Sequence, residues 1–111
     1  MVPPSSPLAA PDPISSLVAS MPPAYPQIFE RRDIVEHLSI VEARRGRRAH
    51  AAEWRQLPGG TVIVCVVADD VPGLLSLVSA AFVSHHLDVT SAQIFCRPTE
   101  HGIEAVDFFW L

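Results

Sequence analysis

Eight of the eleven prolines in this 111-residue chain lie within its first 26 residues. Proline fixes its own φ and supplies no backbone N–H, so it interrupts helices and is confined to the margins of sheets. Pro3, Pro4, Pro7, Pro11 and Pro13, set among Ser and Ala, predict a disordered or extended arm over residues 1–24, in which only Ile14–Ser20 has room for a helical turn. Any sheet must be built from residues beyond that arm. Hydrophobic residues make up 49% of the chain, enough for a packed core, so the remainder is expected to fold as one small domain.

Twelve acidic residues oppose eight basic ones, a formal charge of −4. That balance argues against a nucleic-acid partner, because phosphate binding needs clustered positive charge. Cys65 and Cys96 have no Cys-x-x-Cys partner, so neither a zinc knuckle nor a dithiol motif is expected. Cys65 sits in an apolar run and reads as a core thiol of a reducing compartment. No stretch reaches the ~18–20 unbroken apolar residues of a membrane span. No charged segment precedes an apolar one at the N-terminus, as a secretion signal requires. A cytoplasmic chain with no membrane partner is the expectation.

Residues 25–60 read as a helix followed by an Arg-rich linker. Ile34, Val35, Leu38 and Val41 recur at helical spacing between Glu30 and Ala43, with Asp33 charging the first turn. Arg44-Arg45-Gly46-Arg47-Arg48 has two readings, an anion-binding patch or a solvated linker that offsets the acidic flanks; the linker is preferred. Leu57-Pro58-Gly59-Gly60 is turn chemistry and marks a boundary. Residues 61–111 carry the sheet. Thr61–Ala68 is continuous and β-branched, the pattern of a central strand buried on both faces. Asp69–Gly73 turns into a helix whose apolar face is Leu74, Leu77, Val78, Ala81 and Phe82, ending near His86. Asp70 is the expected N-cap, with Pro72 in the first turn. Val89–Cys96 is a second strand, Arg97–Gly102 a hairpin loop, and Ile103–Leu111 a third strand. The predicted class is α+β: a β-α-β-β unit with an antiparallel sheet, which a split β-α-β fold would continue with a further helix and strand. A unit of 51 residues is marginal on surface-to-volume grounds. Its open sheet edge predicts self-association or pairing with another chain.

Ala68-Asp69-Asp70-Val71-Pro72-Gly73-Leu74-Leu75 resembles the strand-to-helix turn of ACT domains, whose pattern is Asp or Asn, any residue, then Pro-Gly-Leu. More narrowly, the chain resembles the C-terminal regulatory region of protein-PII uridylyltransferase/uridylyl-removing enzymes. Ser20-Met21-Pro22-Pro23-Ala24-Tyr25, followed by Asp33-Ile34-Val35-Glu36-His37, is similar to the segment that enters the family's first ACT domain. Asp88–Phe95 and Val106–Trp110 are similar to its second and third ACT strands. The resemblance covers about residues 20–111 and implies a partial, ferredoxin-like ACT domain, truncated after its third strand. It also implies a regulatory role in nitrogen sensing, with glutamine as the amino-acid effector. The family's Arg between the turn Asp and Pro is Val71 here, and the motifs of its nucleotidyltransferase and HD centres are missing. The chain is therefore expected not to be an enzyme.

The candidate site consists of Asp70, Val71, Pro72, Gly73, Leu74 and Asp88. A helix N-terminus offers unpaired N–H groups and partial positive charge, which suit a carboxylate. Gly73 allows close approach, and the Asp70 and Asp88 carboxylates suit an ammonium group, making a cradle for a zwitterion. Both acids are expected at the same end of the β-α-β unit, since the helix returns the chain to the sheet. In the family the effector often sits between two ACT units, using this turn of one and the second strand of the other. The competing reading is purely structural, with Asp70 capping the helix and Asp88 ending a loop. Nothing else in the chain reads as a catalytic group, a metal ligand or a cofactor site. His85 and His86 point ~100° apart on a helix. His37 with Glu36 reads as a helix-surface pair, and Glu104 and Asp107, three apart on a strand, face opposite sides.

Overall fold

The β-branched run forms the strand that its composition predicts, and the sheet assembles around it. The computed structural model describes residues 12–111. Helices span Pro13–Ser20 (α1), Tyr25–Ile28 (α2), Arg31–Ala43 (α3) and Leu74–Ser84 (α4). Strands span Ala49–Gln56 (β1), Val62–Asp69 (β2), Ser91–Thr99 (β3) and Gly102–Trp110 (β4). The fold is α+β, and its sheet has the order β1-β2-β4-β3 with every pairing antiparallel. β2 and β3 are parallel to each other, joined through α4, with β4 inserted between them. This is a split β-α-β.

Two expectations about the elements that precede β2 are corrected. The arm does not extend to residue 24, because Pro13–Ser20 is helical; the part of that expectation covering residues 1–11 lies outside the described residues. Asp12 caps α1 by accepting from the Ile14 amide at 3.4 Å, and Pro13 occupies the position where a missing N–H is tolerated. Ile14, Leu17, Val18 and Met21 then recur at helical spacing, with Leu17 buried in the core. Proline here starts the helix, and Pro22-Pro23 come after its end. The second correction is β1, which lies inside the stretch read as linker and adds a fourth strand to an expected three. His50, Ala52 and Trp54 alternate toward the core, and a bulge between Glu53 and Arg55 turns both Trp54 and Arg55 toward α3.

One face of the sheet carries the core. The register aligns His50, Val67, Val106 and Phe95 in one row across the strands, and Ala52, Cys65 and Phe108 in the next. Leu17, Met21, Tyr25, Phe29, Ile34 and Ile40 cover these rows. His37, expected at the surface, is fully buried among Phe29, Trp54 and Phe108. Its Nδ1 lies 2.6 Å from the Tyr25 hydroxyl, the one polar partner this aromatic core offers it. Burial pushes His37 down to about 4 and the Tyr25 phenol up, so both are neutral at pH 7. Asp33 ties α3 to the sheet: one carboxylate oxygen accepts from the Glu30 amide at 3.0 Å, the other from Arg55 at 2.8 Å.

The hairpin is tighter than the expected Arg97–Gly102 loop. Thr99 pairs with Gly102 across a two-residue turn, so Arg97 and Pro98 belong to β3. Pro98 is tolerated because β3 is an outer strand. Among the described residues, no helix is long and apolar enough to cross a membrane.

Candidate functional site

β2 ends at Asp69, and the next four residues decide how α4 begins. The Leu74 amide donates to the Val71 carbonyl at 3.2 Å, and Gly73 has φ 82° and ψ 0°. Pro72 at the second position and a left-handed Gly73 at the third define a type II turn, which few residues other than glycine can complete. Helix α4 therefore starts at Leu74 with Gly73 as its N-cap, and Gly73 has no side chain with which to cap it. Asp70 is thus not the N-cap, and Pro72 precedes the helix instead of lying in its first turn. The amides of Leu75 and Ser76 have no acceptor among the described residues.

Asp70 instead faces Cys96 across the sheet and accepts from its thiol at 3.5 Å. Partial desolvation, and then this contact, hold the Cys96 thiol above its usual range. The register puts Asp107 on the same face, in a row with Val66 and Ile94. Its side chain is buried and its Oδ1 has no partner among the described residues. Burial, and secondarily the charge of Asp70, push the Asp107 carboxyl up to about 6, against a hydrogen bond from the Phe95 backbone. The sequence carries a signal for it, a lone acid inside Ala105-Val106-Asp107-Phe108-Phe109. Glu104 faces the other way, as the strand period requires.

Asp88 does not join this group. It is exposed in the connection from α4 to β3, and the neighbouring Thr90 amide donates to the Trp110 carbonyl at 2.8 Å. Trp110 pairs with Ile63 at the start of β2, whereas Asp69 pairs with Glu104 at its end. The intervening strand places Asp88 and Asp70 ~20 Å apart, at opposite ends of the sheet. A crossover helix returns the chain to where the first strand began, so one chain cannot form the expected two-acid cradle.

Helix α4 rests on the sheet through a narrow stripe of half-buried residues, Leu74, Val78 and Phe82, with Phe82 meeting Phe109 edge-on at 5.1 Å. No residue of α4 is buried, and Leu77 and Val83 are each 71% exposed. Of the expected apolar face, Leu77 and Ala81 are uncovered. Between α4 and β1 lies a cleft of about 480 Å³, lined by Val71, Leu74 and Leu77 with Ala49 and Ala68, and by Arg48 and Asp69.

On the opposite face, at the same end of the sheet, Asp69, Glu104 and Arg97 align in one row. Arg44 enters this row from the end of α3, donating to Glu104 at 2.7 Å and to Asp69 at 2.5 Å; Arg97 donates to Glu104 at 2.6 Å. Arg97 also donates to the Ser20 hydroxyl at 2.7 Å, which ties α1 to the network. Arg44 is therefore a structural clamp and not part of a solvated linker; Arg45, Arg47 and Arg48 are exposed.

No family model, curated protein or solved structure matches this chain.

Proposed function

We propose that the chain is a regulatory amino-acid-binding module of the ACT kind, without catalytic chemistry of its own, and that its site is assembled from two copies. The observation that carries this reading is the junction of β2 and α4. A type II Pro-Gly turn there leaves the Leu75 and Ser76 amides uncapped, a few residues along the chain from Asp70 and on a helix whose outer face is uncovered. An effector α-carboxylate takes the amides, where the helix field favours an anion, and Asp70 takes the ammonium group. Asp88, at the far end of its own sheet, contributes from the second copy. Glutamine is the effector that the family resemblance implies. The exposed Val71, Leu75 and Leu77 give this junction apolar surface of the kind that marks an association site.

Thermal unfolding with and without L-glutamine tests the reading. A millimolar concentration should raise the melting temperature of the wild-type chain, and Asp70→Asn should remove the effect. No shift in a folded wild-type protein refutes it.

The exposure of Leu77 and Val83 also favours a second reading, a pairing module that needs no ligand. It is distinguished by a dimer in sedimentation whose melting temperature glutamine leaves unchanged.

A further inference from the structure

Five of the eight arginines hold a carboxylate: Arg31, Arg32, Arg44, Arg55 and Arg97. The other three, Arg45, Arg47 and Arg48, have no acidic partner among the described residues, and all three line one groove of about 1120 Å³. Such a concentration of unspent positive charge is unexpected in a chain with more acids than bases. Glu42 and Glu100 line the same groove and still do not pair with them. The groove opens mainly on the sheet face covered by α1 and α3, opposite α4, and shares Arg48 and Asp69 with the cleft beside the β2–α4 junction.

We propose that this groove binds a small polyanion through a chain of phosphate groups. Arg44 builds the site without being spent on the ligand. Its guanidinium donates to the carbonyls of Arg47 at 3.0 Å and Arg48 at 3.1 Å while it holds Glu104 and Asp69. The loop is thereby fixed around Gly46, at φ 80°, with the side chains of Arg45, Arg47 and Arg48 unengaged. The carboxylates at the groove floor, Asp69 and Glu104, are already neutralised by Arg44 and Arg97 and oppose an anion only weakly. Guanidinium groups match phosphate oxygens with paired N–H donors, and Arg45, Arg47 and Arg48, close together on one loop, outnumber the Glu42 and Glu100 carboxylates that share the groove and can each take a different phosphate of a chain. Residues 1–11 contain no acidic side chain, so that segment has no carboxylate to offer the groove. Half-buried Leu38 and Val41 add an apolar wall against which the rest of a phosphorylated ligand can lie.

Calorimetric titration of the full chain with sodium tripolyphosphate at low ionic strength tests the proposal. Saturable binding is expected. Arg45→Gln, Arg47→Gln and Arg48→Gln should each weaken it about tenfold, and the triple variant should abolish it at an unchanged melting temperature. Arg31→Gln with Arg32→Gln removes charge at the other end of α3, ~18 Å away, and should leave affinity intact. A parallel titration with ATP identifies the source: equal affinity assigns the site to the phosphate chain alone, and tighter binding assigns a share to the apolar wall. Absence of saturable binding to the wild type overturns the proposal. So does an equal loss in the Arg31/Arg32 control.

Discussion

Replacing Asp107 by Asn should stabilise the protein at neutral pH, although it removes a charge from a buried position. The Asp107 carboxyl sits in the sheet interior with one oxygen unpartnered among the described residues, and its pKa stands at about 6 against an ordinary 3.8. A raised carboxyl pKa means that the folded state holds the proton more tightly than the unfolded state. Stability from this group is therefore fully present below pH 4, declines as pH rises through 6, and stays low above it. Two pKa units correspond to at most about 3 kcal/mol. The α4 residues above the group are only half-buried, so solvent screening reduces this to ~1–2 kcal/mol. Asn cannot ionise, and its stability should not fall over that range. Urea unfolding of both proteins at several pH values isolates the effect, since other titrating groups cancel in the difference. Asp107→Asn should be the more stable by ~1–2 kcal/mol at pH 7.5, a rise of roughly 4–12 °C in melting temperature for a domain this size, with the advantage vanishing near pH 4. A variant less stable than wild type at pH 7.5, or a difference that does not vary with pH, refutes the reasoning.

Two further substitutions test the packing. Leu17→Ala should destabilise by ~2–4 kcal/mol in urea unfolding, because Leu17 is 2% exposed and its loss opens a cavity between α1 and the sheet; a disordered arm would give no change. Glu104→Ala should cost ~2–4 kcal/mol by the same measurement, because Arg44 and Arg97 lose their shared carboxylate while only 14% and 17% exposed, and added salt should recover little of it.

Legibility in the sequence divides along physical lines. β2 and α4 stand out because their apolar patterns are long and their periods distinct, and the capping acids and spacing of α3 mark it equally well. α1 is concealed by composition: its proline density reads as disorder, while the same Asp12-Pro13 pair is a helix start. β1 is concealed because an Ala-rich, half-polar edge strand carries a period-two signal only in His50, Ala52 and Trp54. At the site, the Pro-Gly turn is local and readable, whereas the separation of Asp70 from Asp88 depends on strand direction. Arg44 reads as one of a solvated run because its partners Asp69 and Glu104 lie 25 and 60 residues away in sequence.

The central claim, an effector site shared between two copies, makes a prediction that a single-chain site does not. Asp70→Asn and Asp88→Asn should each bind no glutamine alone. Mixed in equal amounts and allowed to exchange, half of the dimers would carry one intact site, pairing Asp70 of one copy with Asp88 of the other. About a quarter of the wild-type binding capacity should return in a calorimetric titration, as two-fold symmetry requires. A mixture that binds no more glutamine than its components would contradict the account.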